Sequence, residues 1–377
     1  MNNKSKIKVC FISMKAYPLF TNKSGFIFGG AEVQLYQLSK KMAQDKNFEV
    51  SFAVADYGQN SSEIIENVKI FPTMKLTRKF GFFSGIVSQI KLMRCLIQNE
   101  SDVYIQRAIG VETGILALLL ILFKKKFIYM TANTPDVDGT AGRRDLPLRI
   151  LFKIGLRYAS LVITQGDEFK KMIKKNFKRE SIVLRNSFDL PSNLINHDLS
   201  QRKYVLWVAN SRKLKRPEVF LEMAKRNPEI KFLMIMPKHD LKLWDDIYNN
   251  SKTLKNLTFI EKVSFEKINK YFAEASLFVS TAMHEGFPNT FVQATMYGVP
   301  IVSLSVNPDN FINKYKCGFF VDDNVEIIYN QVVGILKKPT EWKILSENSY
   351  KYAQENHNIE KNIVKLKEII NILIKKK

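Results

Sequence analysis

The sequence predicts an α/β protein of two doubly wound, parallel-sheet domains facing a cleft. Three observations carry that expectation. Short apolar runs alternate with helical apolar stripes from Ile7 to Val321, and such strand–helix alternation is the pattern of parallel sheets. The 377 residues exceed what one hydrophobic core ordinarily serves. A polar, irregular stretch from Asn186 to Lys203, holding Pro191, Asn193, Asn196 and His197, interrupts the alternation in mid-chain. It divides the chain into an expected first domain at 1–190, a second at 203–357 and a terminal helix at 358–377.

The first domain opens on Ile7–Met14, an apolar run that reads as a buried strand. A loop from Lys15 to Phe28 leads to Gly29-Gly30-Ala31-Glu32, and Val33, Leu35, Leu38 and Met42 then give a helical stripe. Glycine before a helix start lets the backbone approach a phosphate closely, so Gly29 and Gly30 are candidate phosphate contacts. Val50–Ala55 and Val68–Phe71 read as strands, Phe82–Ile97 as a helix, and Val103–Gln106 as a short strand ending at Arg107. Two readings stand for Arg107: a cleft-facing contact, or an ion pair with a neighbouring helix; under the family resemblance given below the first would serve an acceptor. Gly114–Phe123 is the most apolar run, followed by Lys124-Lys125-Lys126. It is about half the length a bilayer span needs and reads as a buried helix.

Phe127–Met130 reads as the next strand and runs into Thr131-Ala132-Asn133-Thr134-Pro135-Asp136-Val137-Asp138-Gly139. An Asp-x-Asp pair can hold a divalent metal on a nucleotide diphosphate. Two acids in a turn before Gly are equally served by water, and that reading is preferred; Asp136 and Asp138, beside Arg143 and Arg144, become acceptor-side candidates only under the family resemblance given below. Helix, strand, helix and strand then follow at Leu148–Ala159, Leu161–Thr164, Glu168–Phe177 and Ile182–Arg185.

The second domain opens on the strand Tyr204–Val208, which ends at Ala209-Asn210-Ser211-Arg212-Lys213-Leu214-Lys215-Arg216-Pro217. Pro217 suits the first turn of a helix. Cations at the positive end of a helix are unfavourable unless an anion joins them, so Arg212 and Lys215, with Arg216 as the alternative, are expected to hold a pyrophosphate. Strands are expected at Lys231–Met236, Leu257–Ile260, Leu277–Ser280, Ile301–Leu304 and Phe319–Val321. Helices are expected at Asn324–Lys337, Glu341–Gln354 and Ile359–Ile374. Between Ser280 and Ile301 lies His284-Glu285-Gly286-Phe287-Pro288-Asn289-Thr290, then a short helix through Gln293 to Tyr297. Glu285 falls at a strand's carboxyl end, where ligands of open α/β sheets bind. Asn289 is expected to cap the helix and leave the N–H groups of Asn289, Thr290 and Phe291 as an anion seat.

This stretch resembles the sugar-donor motif of family 4 glycosyltransferases, retaining enzymes of the GT-B fold. The motif is an acid followed by Gly-Phe, with a second acid eight positions on; here these are Glu285-Gly286-Phe287 and Gln293. The resemblance implies that Glu285 contacts the donor sugar and is the catalytic residue. Gln293 then falls to the nucleotide ribose, where its amide accepts and donates but carries no charge. Family members also carry Gly-Gly-Ala-Glu beside the donor pyrophosphate and an Arg-plus-Lys pair on the donor phosphates, here Arg212 and Lys215. Gly286, Phe287, Pro288, Asn289 and Thr290 complete the implied donor site. Many members place a His after the strand at Phe127–Met130, where this chain has Ala132 and Asn133. No metal or other cofactor is implied. In GT-B enzymes the last helix usually crosses back to the first domain.

Composition bounds the partners. Lys and Arg total 58 against 36 acids, a formal net charge of +22, so anionic partners are expected: nucleotide diphosphates, lipid phosphates or peripheral contact with an anionic membrane. The family resemblance implies a nucleotide-diphosphate sugar as donor and a glycan or lipid-linked acceptor. No zinc module, RNP pattern or basic helix carrying aromatics points to nucleic acid. Cys10, Cys95 and Cys317 lack pairing or metal spacing, and with no secretory signal the expected compartment is the cytoplasm, including the inner face of the membrane. A GT-B-fold epimerase and a non-catalytic nucleotide-binding subunit are the alternative readings.

Overall fold

The computed structural model describes residues 5–21, 28–59, 61–75, 82–143, 145–193 and 195–375, with backbone only at 82–86. Part of the Lys15–Phe28 loop, Arg144 and the last two lysines lie outside these residues. The chain divides into two compact units: Met1–Ser187 with Ile359–Lys377, and Phe188–Asn358.

In the first unit the strands are β1 (Ile7–Ile12), β2 (Phe48–Asp56), β3 (Glu63–Ile65), β4 (Val68–Lys75), β5 (Val103–Arg107), β6 (Lys126–Met130), β7 (Leu161–Thr164) and β8 (Ile182–Val183). They form one sheet in the order β3-β4-β2-β1-β5-β6-β7-β8. The register runs Ile7↔Phe48 between β1 and β2 and Val9↔Val103 between β1 and β5. Every pairing is parallel except β3 with β4. The sequence pattern misses β3 because it is an exposed edge strand of three residues with Ile64 in solvent. Val9, Phe11, Tyr104, Ile105, Ile128 and Val162 are buried, as parallel strands covered on both faces require.

The second unit carries β9 (Tyr204–Val208), β10 (Phe232–Ile235), β11 (Leu257–Ile260), β12 (Ala275–Ser280), β13 (Ile301–Ser303) and β14 (Gly318–Phe320), in the order β11-β10-β9-β12-β13-β14 and wholly parallel. The order reverses beside β9 and β12, so their carboxyl ends mark the switch point where doubly wound sheets bind ligands. The helix after β12 stops at Gly298, whose φ of +65° is left-handed. Gly298 N–H donates to Thr295 O at 3.0 Å, a glycine helix stop that returns the chain to β13.

Residues 188–202 fold as part of the second unit. Phe188 N–H donates to His357 O at 3.0 Å. His197 Nδ1 lies 2.7 Å from Ser346 Oγ. Arg202 donates to Ala273 O at 2.6 Å and Tyr297 O at 3.1 Å. The terminal helix Ile359–Lys375 packs in the first unit, where Lys367 Nζ meets Asp45 Oδ2 at 2.9 Å and Asn362 Nδ2 donates to Ser187 Oγ at 2.9 Å.

The apolar run after β5 corrects one expectation. It forms the helix Glu112–Leu122, but only one side is buried: Leu116, Ala117 and Leu120 face the core while Leu118, Ile121 and Leu122 face outward. The run is apolar all round, and periodicity cannot show which side a neighbour leaves open. Among the described residues, no helix is long and apolar enough to cross a membrane. Cys10 and Cys317 are buried, Cys95 partly so, and all three are free thiols.

Candidate active site

At the carboxyl end of β9 the chain makes a 3-10 turn, Lys213–Lys215, and enters the helix Pro217–Arg226 through Arg216, whose φ is +49°. Three hydrogen bonds fix this turn against the segment after β12. Trp207 Nε1 donates to Thr281 Oγ1 at 2.9 Å, Thr281 Oγ1 donates to Lys215 O at 2.6 Å, and Met283 N–H donates to Leu214 O at 2.9 Å. The carboxyl ends of the two central strands are thereby stapled together, and their functional side chains meet. Lys215 Nζ lies 2.5 Å from Glu285 Oε1, with both side chains mostly buried. Charge-assisted contacts at this spacing are the strong ones. Arg212 is exposed, and its guanidinium has no ion-pair partner among the described residues. Arg216, the alternative phosphate ligand, is instead paired with Asp323, which also accepts from Ser305 Oγ at 2.8 Å.

The Glu-Gly-Phe-Pro turn differs from expectation in its cap. The helix spans Asn289–Met296 and Pro288 is its N-cap, so Asn289 is the first helical residue and makes no side-chain cap. Pro288, with ψ of 130°, already supplies the extended entry a cap residue needs. The Phe291 N–H donates to Pro288 O at 3.1 Å and so leaves the expected anion seat. Asn289 and Thr290 stay half-buried at the helix start. The Phe287 side chain is core, packed on Phe311 and His357, so only its backbone is available to a ligand. Gln293 is 6% exposed and donates its Nε2–H to Asn269 Oδ1 at 3.3 Å. Because the helix begins only at Asn289, Gln293 lies about one turn into it, and one of its amide hydrogens is committed within the fold.

Residues 195–355 match the family of glycosyl transferases group 1. The matched residues lie within the second unit. The chain is 22% identical over 285 residues to an uncharacterized glycosyltransferase of Methanocaldococcus jannaschii, a match covering 68% of this chain and 69% of that one. Its fold is similar to that of sucrose-phosphate synthase from Thermosynechococcus elongatus, with a TM-score of 0.82 at 13% identity over 99% of this chain and 100% of that one. It is also similar to WaaG, a glycosyltransferase involved in lipopolysaccharide biosynthesis, with a TM-score of 0.70 at 13% identity over 96% and 99% of the two chains. The chain therefore has the GT-B fold throughout its length, as the family 4 resemblance implied.

In the first unit, Gly29 and Gly30 are exposed at the start of the helix Gly30–Met42, and Glu32 Oε2 accepts from Gly29 N–H at 2.8 Å. The acceptor-side candidates separate by burial. Arg143 is exposed and Asp138 half-buried, with Asp138 Oδ1 accepting from Thr140 N–H and Oγ1 at 2.7 Å each. Asp136 is not in a solvated turn, as expected, but in the short helix Pro135–Asp138 at 0% exposure. Arg107 is likewise interior at 7%. It donates through one terminal nitrogen to Gln165 Oε1 at 2.9 Å and Asn186 Oδ1 at 2.7 Å. Sequence pattern places Arg107 at a strand end and Asp136 in a turn, but does not show that Gln165, just after β7, and Asn186, after β8, accept from Arg107. Groups this buried brace the strand ends and do not reach a bulky acceptor.

Burial raises the Asp136 carboxyl to about 6, against the opposing pull of the Ala132 and Asn133 N–H groups and of Arg107. Burial lowers Arg107 to about 10. An unfolded aspartate titrates near 3.9, so the folded chain binds the extra proton between about pH 4 and 6. The sign follows: this group's contribution is most favourable below about pH 4 and is lost as pH rises through 6, on the order of 2–3 kcal/mol in all. Asp136→Asn is expected to lack that slope. Urea unfolding of both chains from acid to neutral pH measures it, and parallel curves would remove Asp136 as the cause.

Proposed function

We propose that this protein is a retaining glycosyltransferase that moves a sugar from a nucleotide-diphosphate sugar to a glycan or lipid-linked acceptor, in surface polysaccharide or lipopolysaccharide synthesis in the cytoplasm. The observation that carries the reading is the Lys215–Glu285 pair at 2.5 Å. It brings together a phosphate-type cation and the acid of the sugar-donor motif, at the switch point of the second sheet. A glycosyl phosphate needs both at once, since its anomeric carbon and leaving oxygen are one bond apart.

With donor bound, Lys215 and Arg212 take the diphosphate oxygens, and Lys215 also stays beside Glu285. As the glycosidic bond breaks, negative charge grows on the leaving phosphate. Both cations and the N–H groups at the start of the helix Asn289–Met296 stabilise it. Glu285 orients the sugar and faces the growing positive character of the anomeric carbon. Arg143 and Asp138 of the first unit are offered to the acceptor. A non-catalytic nucleotide-binding subunit remains the second reading, because Gln293 offers a ribose no charge and spends one amide hydrogen on Asn269.

The chemistry is proposed to need no metal. The family resemblance implies none, and Asp136 of the Asp-x-Asp pair is buried. Turnover is expected to persist in excess EDTA, and loss restored by manganese would overturn this. The overall reading is tested by thermal shift over a panel of nucleotide-diphosphate sugars, followed by donor hydrolysis. A ligand at a hundred times its Kd adds about 2.7 kcal/mol. Stabilisation without hydrolysis or transfer on any acceptor would favour the non-catalytic subunit.

A further inference from the structure

The outward side of the helix Glu112–Leu122 carries no charged side chain. Beside it runs the helix Leu146–Tyr158 of the same unit. A Cβ at Gly114 would come 2.2 Å from Leu151 O, and one at Gly155 would come 2.7 Å from Thr113 Cγ2. The two helices therefore meet backbone to backbone, and their outward side chains form one surface. Leu118, Ile121, Leu122 and Phe123 from the first helix and Ile150 and Tyr158 from the second are all exposed, Leu122 by 75%. Buried neighbours cover the other sides, so this face is turned outward by the fold rather than by fraying.

Charge on this face follows one sign. Arg149, Lys153 and Arg157 recur every fourth residue along the second helix, a spacing that aligns them on one stripe. Next to that stripe is a cavity of about 520 Å³ lined by Lys153, Arg157, Tyr158, Phe177, Lys178 and Arg179, among others. Arg179 Nε is buried there without a hydrogen-bond partner. The nearby acids are committed: Asp145 caps the second helix through Leu148 N–H at 3.0 Å, and Glu180 pairs with Lys174 at 2.7 Å.

We propose that this face docks on an anionic lipid surface. The aliphatic and aromatic side chains enter the boundary between headgroups and acyl chains, while Arg149, Lys153 and Arg157 meet the headgroup phosphates and the adjoining cavity takes one of them. Apolar side chains bordered by cations are the chemistry of an interfacial contact. A protein partner would not require a cation-lined cavity beside the apolar strip. The face lies within the first unit and involves none of the donor residues, so the inference goes beyond the proposed transfer and does not depend on it.

Vesicle flotation of the full chain tests it, with phosphatidylcholine alone and with equal parts of phosphatidylcholine and phosphatidylglycerol. Binding is expected to the anionic vesicles. Lys153→Glu/Arg157→Glu is expected to weaken it at least about tenfold, and Leu118→Asp/Leu122→Asp similarly. Leu122→Gln, at the most exposed position, is the milder variant; a several-fold loss is expected at unchanged thermal midpoint. Absence of binding to anionic vesicles overturns the proposal. So does binding that salt abolishes while the leucine variants keep it in full, since the net charge of +22 alone would then account for it. Binding of inorganic phosphate without vesicle binding, or self-association through this face, also overturns it.

Discussion

Glu285→Gln is expected to lower kcat and kcat/KM together, on the order of a hundredfold, with nucleotide affinity little changed. The substitution keeps the size of the side chain and an oxygen that accepts from Lys215 Nζ, now 2.5 Å away, but removes the negative charge. That charge interacts most strongly when the anomeric carbon becomes electron-poor, in the transition state. An interaction made mainly there appears in turnover rather than in ground-state binding. The staple through Thr281 and Leu214 does not involve the Glu285 side chain, so the turn should keep its place. Steady-state kinetics with a single donor and acceptor measures the effect. A variant that raised only KM for the donor would make Glu285 a binding residue and end the catalytic assignment.

Lys215→Ala and Arg212→Ala are each expected to weaken binding of the nucleotide diphosphate by about 1.5–3 kcal/mol, the range for a lost charge-assisted phosphate contact. Lys215→Ala should show the larger loss. It removes one cation and also leaves the Glu285 carboxylate, mostly buried, unpaired beside an incoming anion. Combining it with Glu285→Gln should therefore recover part of the affinity, a coupling that a double-mutant cycle reads directly. Arg212 is exposed, so its loss should report the phosphate contact with little change in folding stability. Calorimetric titration of each variant decides the matter, and unchanged affinity in both would take them out of the site.

Much of the architecture was legible before any coordinates. Runs such as Tyr204–Val208 and Leu277–Ser280 are short and apolar, as strands covered on both faces are, so the pattern finds them, although β12 begins two residues earlier, at Ala275. Pro217 and the Glu-Gly-Phe-Pro turn likewise name themselves, because Pro and Gly act locally on φ and on the missing N–H. The candidate donor residues were legible for a related reason: clustered cations at a helix start make sense only with an anion present.

What tertiary structure alone decided is what depends on residues far apart in sequence. Arg216 looked equivalent to Lys215 until Asp323 was found against it, and nothing local to either residue foretells a partner 107 positions away. Arg107 stands at a strand end with a cleft contact and an ion pair both open, yet Gln165 and Asn186 arrive just after β7 and β8 to hold it in the interior. Asp136, expected in a solvated turn, is buried and accepts from the Ala132 N–H. The Glu112–Leu122 helix read as buried, and one side proves open. Local pattern fixes which backbone conformation a segment prefers and which residues share a face. Whether that face meets a neighbour, a ligand or solvent is set by packing between segments, and composition of the segment itself does not encode it.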